Sequence, residues 1–164
     1  MKIINQRQIV ADNWQTIDEE TPLDQLPAAN LIISLSYWQK HKNSLSQRNE
    51  PLGVKLKPED EITDIAKDLE KLALVVLEFP AFRDGRAYSQ ARQLRQHFGY
   101  QNEIRATGNV LRDQLTYMER VGFTSFEIDS KQDINDALNA FDEINVKYQA
   151  SSDEALPLFK RRRA

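Results

Sequence analysis

Seven cations fall between residues 83 and 122, and all are arginines: Arg83, Arg86, Arg92, Arg95, Arg105, Arg112 and Arg120. The same stretch holds four acidic residues, whereas residues 1–82 carry nine basic and thirteen acidic groups and residues 123–164 carry six and eight. Only the middle of the chain is net positive. A planar guanidinium grips a carboxylate, a phosphate or a sulfur oxyanion with two parallel hydrogen bonds, which a lysine ammonium cannot do. The chemistry on offer is recognition of an oxyanion or an acidic partner, although an arginine on a helix surface also pairs with local carboxylates.

Two segments concentrate that chemistry. Phe79 is followed by Pro80-Ala81-Phe82-Arg83-Asp84-Gly85-Arg86, and Ala106 by Thr107-Gly108-Asn109; each sits between an apolar run and an amphipathic one. In parallel α/β sheets, ligands bind beyond the carboxyl ends of the strands. If the two strands are neighbours, Arg83, Gly85, Arg86, Thr107, Gly108 and Asn109, with Arg105, form an anion- or partner-binding set whose glycines leave backbone N–H groups open at two helix starts. Asp84 and Asp113 are the candidates for acid–base work. Asp84 and Asn109 also suit ordinary helix caps, which need no ligand.

Other chemistries lack their residues. There is no cysteine, so thiolate nucleophiles, disulfides, cysteine-held zinc and cysteine-ligated iron–sulfur clusters are excluded. His41 and His97 lie far apart with nothing beside them to complete a metal site, so no metal is expected. No dinucleotide, Walker-type or nucleophile-elbow motif occurs, and the five glycines are too few for a glycine-rich phosphate cradle. The net charge of −3 disfavours nucleic acid as a partner.

The elements that must position these residues alternate along the chain. Leu31–Leu35, Val54–Leu56, Leu74–Phe79, Ile104–Ala106 and Ser125–Ile128 read as about five short buried strands. Between them, Ile62, Ile65, Ala66 and Leu69 follow Pro58 and the acidic Glu59-Asp60-Glu61 at the spacing of a helix face. Ala87, Ala91, Leu94 and Phe98 line a second helix stopped by Gly99, and Leu111, Leu115 and Met118 a third stopped by Gly122. Ile134, Leu138 and Phe141 line a fourth, opened by Ser130 with Asp133 three residues on. Strands alternating with helices predict an α/β fold with a mainly parallel sheet and helices on both faces; a partial β/α barrel has the same linear pattern. Residues 1–150 are expected to form one domain, with 1–30 as an N-terminal flap built on a small hairpin about Asn5–Arg7, and 151–164 as a mobile basic tail. The amino-terminal residues lack the apolar run of a secretory signal and nothing approaches a membrane span, so cytoplasmic residence is expected.

The run Phe79-Pro80-Ala81-Phe82-Arg83-Asp84-Gly85-Arg86-Ala87-Tyr88-Ser89-Gln90-Ala91-Arg92-Gln93-Leu94-Arg95 is followed by Gly99-Tyr100, Glu103-Ile104-Arg105-Ala106, Gly108-Asn109-Val110-Leu111-Arg112-Asp113-Gln114-Leu115 and Arg120-Val121-Gly122-Phe123. In that order these segments resemble the bacterial domain-of-unknown-function family 934. The likeness extends to Leu52-Gly53-Val54 and the acidic stretch after Pro58, and departs at Ala87, where the family commonly has glycine. The resemblance implies an oxidoreductase association with sulfite reduction, and hence with sulfur assimilation and cysteine biosynthesis, with sulfite reductase subunits as partners. It implies no particular catalytic residues. Sulfite reduction draws on haem or iron–sulfur centres, and this chain cannot build a cysteine-ligated one. The expected role is therefore accessory or electron-transfer-related, through the arginine-rich surface. The alternative is a small oxidoreductase holding flavin or a phosphorylated metabolite at the strand ends, with Arg83, Arg86 and Asn109 on the anion.

Overall fold

The computed structural model describes residues 1–143, 149–154, 156, 157 and 160. Among them lie strands β1 (Lys2–Asn5), β2 (Gln8–Ala11), β3 (Trp14–Thr16), β4 (Asn30–Ser34), β5 (Leu52–Leu56), β6 (Leu74–Phe79), β7 (Glu103–Gly108) and β8 (Ser125–Phe126). The α-helices are α1 (Leu35–Leu45), α2 (Arg86–Gln96), α3 (Leu115–Val121) and α4 (Ile134–Asn139). No helix among the described residues is long and apolar enough to cross a membrane.

All eight strands join one mixed sheet in the order β2-β1-β8-β7-β6-β5-β4-β3. From β3 to β8 neighbours run parallel and follow chain order, while β1 is antiparallel to both β2 and β8. Right-handed crossovers between strands laid down in chain order put every helix on the same face, and the burial pattern agrees. Leu31, Ile33, Val54, Val75, Leu77, Ile104 and Phe126 pack in one core with helix residues such as Trp38, Leu94, Met118 and Phe141. The alternate positions Ile32, Leu74 and Val76 form a separate cluster with Trp14, to which no helix contributes. The sheet is thus a curled half-barrel with helices outside. This corrects the expectation of about five strands with helices on both faces and matches the partial-barrel alternative.

The curl is enforced by covalent geometry. β2 and β3 stand at opposite ends of the sheet, yet only Asp12 and Asn13 separate them. The Cα atoms of Ala11 and Trp14 are therefore at most about 11 Å apart, so the sheet must curl until its two end strands approach each other at that link. The amino-terminal hairpin is part of this ring: Ile4 stands opposite Phe126 and Asn5 opposite Ser125. Its turn residues, Gln6 and Arg7, have φ of 48° and 59°, unusual for side chains with a Cβ. Tertiary bonds hold them there, since the Gln6 N–H donates to the Thr124 carbonyl at 2.9 Å and Arg7 grips Glu119 at 2.8 and 2.7 Å.

Inside the ring Arg105 is 1% exposed. Its Nη1 donates to both oxygens of Asp12 at 3.1 Å, and its Nε and Nη2 to Glu103 Oε1 at 3.2 and 3.0 Å. Ser125 Oγ donates to the same Glu103 oxygen at 2.6 Å. The network ties the link between the sheet's two ends to the opposite wall.

Two local readings differ from the fold. The segment after Pro58 forms 3-10 helices, Ile62–Asp64 and Ala66–Lys71, instead of an α-helix. Ile62 and Ile65 sit three apart, the repeat that lines up along a 3-10 helix. In α4 the cap is Asp133 itself, whose carboxylate accepts from the Asn135 N–H, rather than Ser130. The expected tail lies partly outside the described residues; where it is described, Ser151 Oγ donates to the Arg120 carbonyl and Ser152 Oγ to that of Val121.

Replacing Arg105 with alanine would leave two carboxylates facing each other in the ring. Removing one side of a buried ion pair costs about 3–5 kcal/mol, so a urea titration of Arg105→Ala should show a loss of that size; an unchanged midpoint would mean that the network does not hold the curl.

Candidate functional site

Strand alternation fixes what the mouth of the half-barrel contains, at the carboxyl ends of its parallel strands. Leu74 and Val76 of β6 point inward, so Glu78 does too, and it stands in register with Thr107 of β7. The Glu127 N–H donates to the Ala106 carbonyl at 2.9 Å, carrying the ladder past β8. Two bonds organise this layer. Lys55 Nζ meets Glu78 Oε1 at 2.9 Å, and Thr107 Oγ1 donates to Glu127 Oε2 at 2.8 Å. The Lys55 and Glu78 side chains are 33% and 27% exposed, so both reach water, while Ile32, Leu74, Val76 and Trp14 form an apolar layer beneath.

At Lys55 the layer meets a cleft of about 440 Å³ whose walls include Glu19, Ser34, Ser36, Lys57 and Asp64. Ser34 caps α1 by accepting from the Tyr37 N–H. Ser36 Oγ donates to Glu19 Oε1 at 2.7 Å, and this hydroxyl, with that of Ser34, holds the Glu19 carboxyl below its usual range. The loop after β5 is pinned from α2, where Gln90 Nε2 donates to the Lys57 and Asp60 carbonyls at 3.0 and 2.9 Å.

The residues expected from sequence divide among different environments. The two loops do share an edge, because Phe79 and Gly108 stand side by side in the sheet. Gly108 has φ of 89°, and a Cβ there would lie 2.4 Å from the Phe79 oxygen, which also accepts from the Asn109 N–H at 2.7 Å. Asn109 Oδ1 is buried and finds no partner among the described residues. Thr107 faces the concave side, whereas Gly85 starts α2 on the helical side as its N-cap residue. Arg86 turns back onto Asp84 at 2.6 and 3.0 Å, and that guanidinium holds the Asp84 carboxyl below its usual range. Asp113 is exposed in the 3-10 helix Arg112–Gln114, and Arg83 is exposed with no ion pair to a described residue.

Arg92 is exposed and donates to Gln96 Oε1 one turn along α2 at 2.9 Å, whereas the other four arginines are engaged within the fold. Arg105 lies in the buried network, and Arg95 donates to the carbonyls of Tyr100, Asn102 and Gly122. Arg112 pairs with Asp136 and Glu143, and Arg120 donates to the Gln149 carbonyl. Lys55, Glu78 and Glu127 were not foreseen. Their signal was present: Lys55 and Glu78 are charged residues within otherwise apolar strand runs, where a buried parallel sheet favours Val, Ile and Leu. Among the described residues no cluster of histidine and carboxylate side chains is suited to a metal ion.

Parallel strands in chain order, curled, helix-clad on one side only and charged at the carboxyl mouth, define a β/α half-barrel protein. The chain belongs to the family described as bacterial protein of unknown function (DUF934), whose model matches residues 53–159. No curated protein matches the sequence. The matched span opens within β5, so β1 to β4 and α1 precede it, and the Asp12–Arg105 pair joins the preceding part to the matched one.

Two outcomes are expected here. Gly108→Ala should destabilise the protein more than a helix-surface glycine replacement, because both φ and the Phe79 oxygen oppose a Cβ; a wild-type midpoint would contradict this. Burial pushes the Tyr88 phenol up to about 12. Between the ordinary phenol range and that value the folded state holds the proton more tightly than the unfolded one, so stability falls as pH rises. Tyr88→Phe should flatten the decline in unfolding free energy between about pH 10 and pH 12; an equally steep decline would assign it elsewhere.

Proposed function

We propose that the protein serves sulfite reduction in an accessory or electron-transfer-related role, docking a partner through the rim formed by the loop after β6 and the start of α3. The tie to sulfite reduction comes from the family resemblance; the surface supports the docking role. Phe82 is 54% exposed next to Arg83, and Tyr117 on α3 is 58% exposed. Tyr88 of α2 supports Tyr117, with ring centroids 5.1 Å apart, and rests on buried Phe79 at 5.0 Å. Exposed aromatic side chains, one of them next to an arginine that forms no ion pair with a described residue, are the composition of an interface hot spot. This observation carries the reading. The alternative, a small oxidoreductase with flavin or a phosphorylated metabolite at the strand ends, needs Arg83, Arg86 and Asn109 to converge on one anion. Arg86 is instead closed onto Asp84.

The test is direct binding of the purified protein to purified sulfite reductase subunits. The double variant Phe82→Ala, Arg83→Ala should bind at least about tenfold more weakly, the loss of one to two hot-spot contacts, with an unchanged unfolding midpoint. Wild-type affinity in the variant would remove the patch from the interface, and absence of binding by the wild type would overturn the accessory role.

A further inference from the structure

The charged layer at the mouth has no structural necessity. A partly exposed ion pair adds little to stability, and apolar side chains at the Lys55 and Glu78 positions would extend the Ile32, Leu74 and Val76 layer below. Departures of this kind from the local packing rule concentrate at functional sites. The contrast with Arg105 is informative. That cation is sealed among Asp12 and Glu103 inside the ring, whereas the mouth layer opens to water and to the cleft.

Charge is also divided by strand. Lys55 and Lys57 belong to β5 and the residue just beyond it, while Glu78 belongs to β6, one strand spacing of about 4.8 Å away. Lys57 Nζ forms no ion pair with a described residue, and Ser34 and Ser36 present hydroxyls on the same wall. A lone anion would meet the carboxylates of Glu19, Glu59, Asp60 and Asp64 in the cleft, and a lone cation the two lysines. A molecule carrying both charges a few bonds apart satisfies both sides.

We propose that the cleft and the adjoining mouth bind a small zwitterionic metabolite of the amino-acid class, its carboxylate at Lys55 and Lys57 and its ammonium at Glu78. The ligand opens the Lys55–Glu78 pair and replaces each partner with a group of the same sign, so no buried charge is left unpaired. The site stands apart from the rim of Phe82 and Arg83, and the proposal does not rest on partner docking.

Calorimetric titration of the full chain with glycine, L-serine and L-cysteine tests it, with acetate and ethylammonium as single-charge probes. At least one zwitterion should bind with one-to-one stoichiometry, and both single-charge probes at least about tenfold more weakly. Glu78→Gln and Lys57→Gln should each weaken zwitterion binding at least about tenfold. Lys57 is exposed on the rim, so its variant keeps the test decisive if Glu78→Gln fails to fold. No binding by any of the three zwitterions, acetate binding of equal strength, or wild-type affinity in Lys57→Gln would overturn the proposal.

Discussion

The structure depends on a guanidinium sealed inside the sheet. Arg105 reaches Asp12 on one side and Glu103 on the other, and Asp12 belongs to the short link between the sheet's first and last strands. A flat sheet could not place those strands two residues apart. The curl in turn separates a convex face, where helices bury apolar positions, from a concave one on which polar side chains gather. A buried charge network is seldom more stabilising than well-packed apolar residues; what this one contributes is a fixed curl of the sheet.

Closure also explains why the polar mouth and the aromatic rim are different surfaces. Alternate residues of one strand point to opposite faces, so Glu78 looks into the ring while Phe79 anchors Tyr88 on the helical side. Gly108 lets β6 and β7 stay together past the last side chain of the layer, because Phe79 comes too close for a Cβ. One strand end thus serves two environments separated by the thickness of the sheet.

Much of the segmentation was legible in the sequence. β6 spans the residues that its apolar run marks, and Gly99 and Gly122, at φ of 64° and 123°, end α2 and α3 where a left-handed conformer is needed. Strands β1 to β3 were less visible as sheet members, since they are short and carry Lys2, Gln8 and Gln15. Strand order is not a property of periodicity, so helices on one face could not be told from helices on two. The arginines illustrate the same limit. Their abundance was evident, but Arg105 finds Asp12 across 93 positions of chain, a pairing that no local pattern encodes. The mouth is the opposite case, since a lysine and a glutamate inside apolar strands are local signals that composition by segment conceals.

The two-residue link at Asp12 and Asn13 bears on the order in which the chain can assemble. The parallel strands β3 to β8 meet neighbours in the order in which a ribosome delivers them, each new strand adding to the last. The amino-terminal hairpin is made first, yet β8, the neighbour that β1 needs, emerges more than a hundred residues later. Contacts of such long range are slow to form because loop-closure entropy precedes any gain. Synthesis therefore leaves the first strands waiting, and the outer edge of β1 is covered only when β8 arrives.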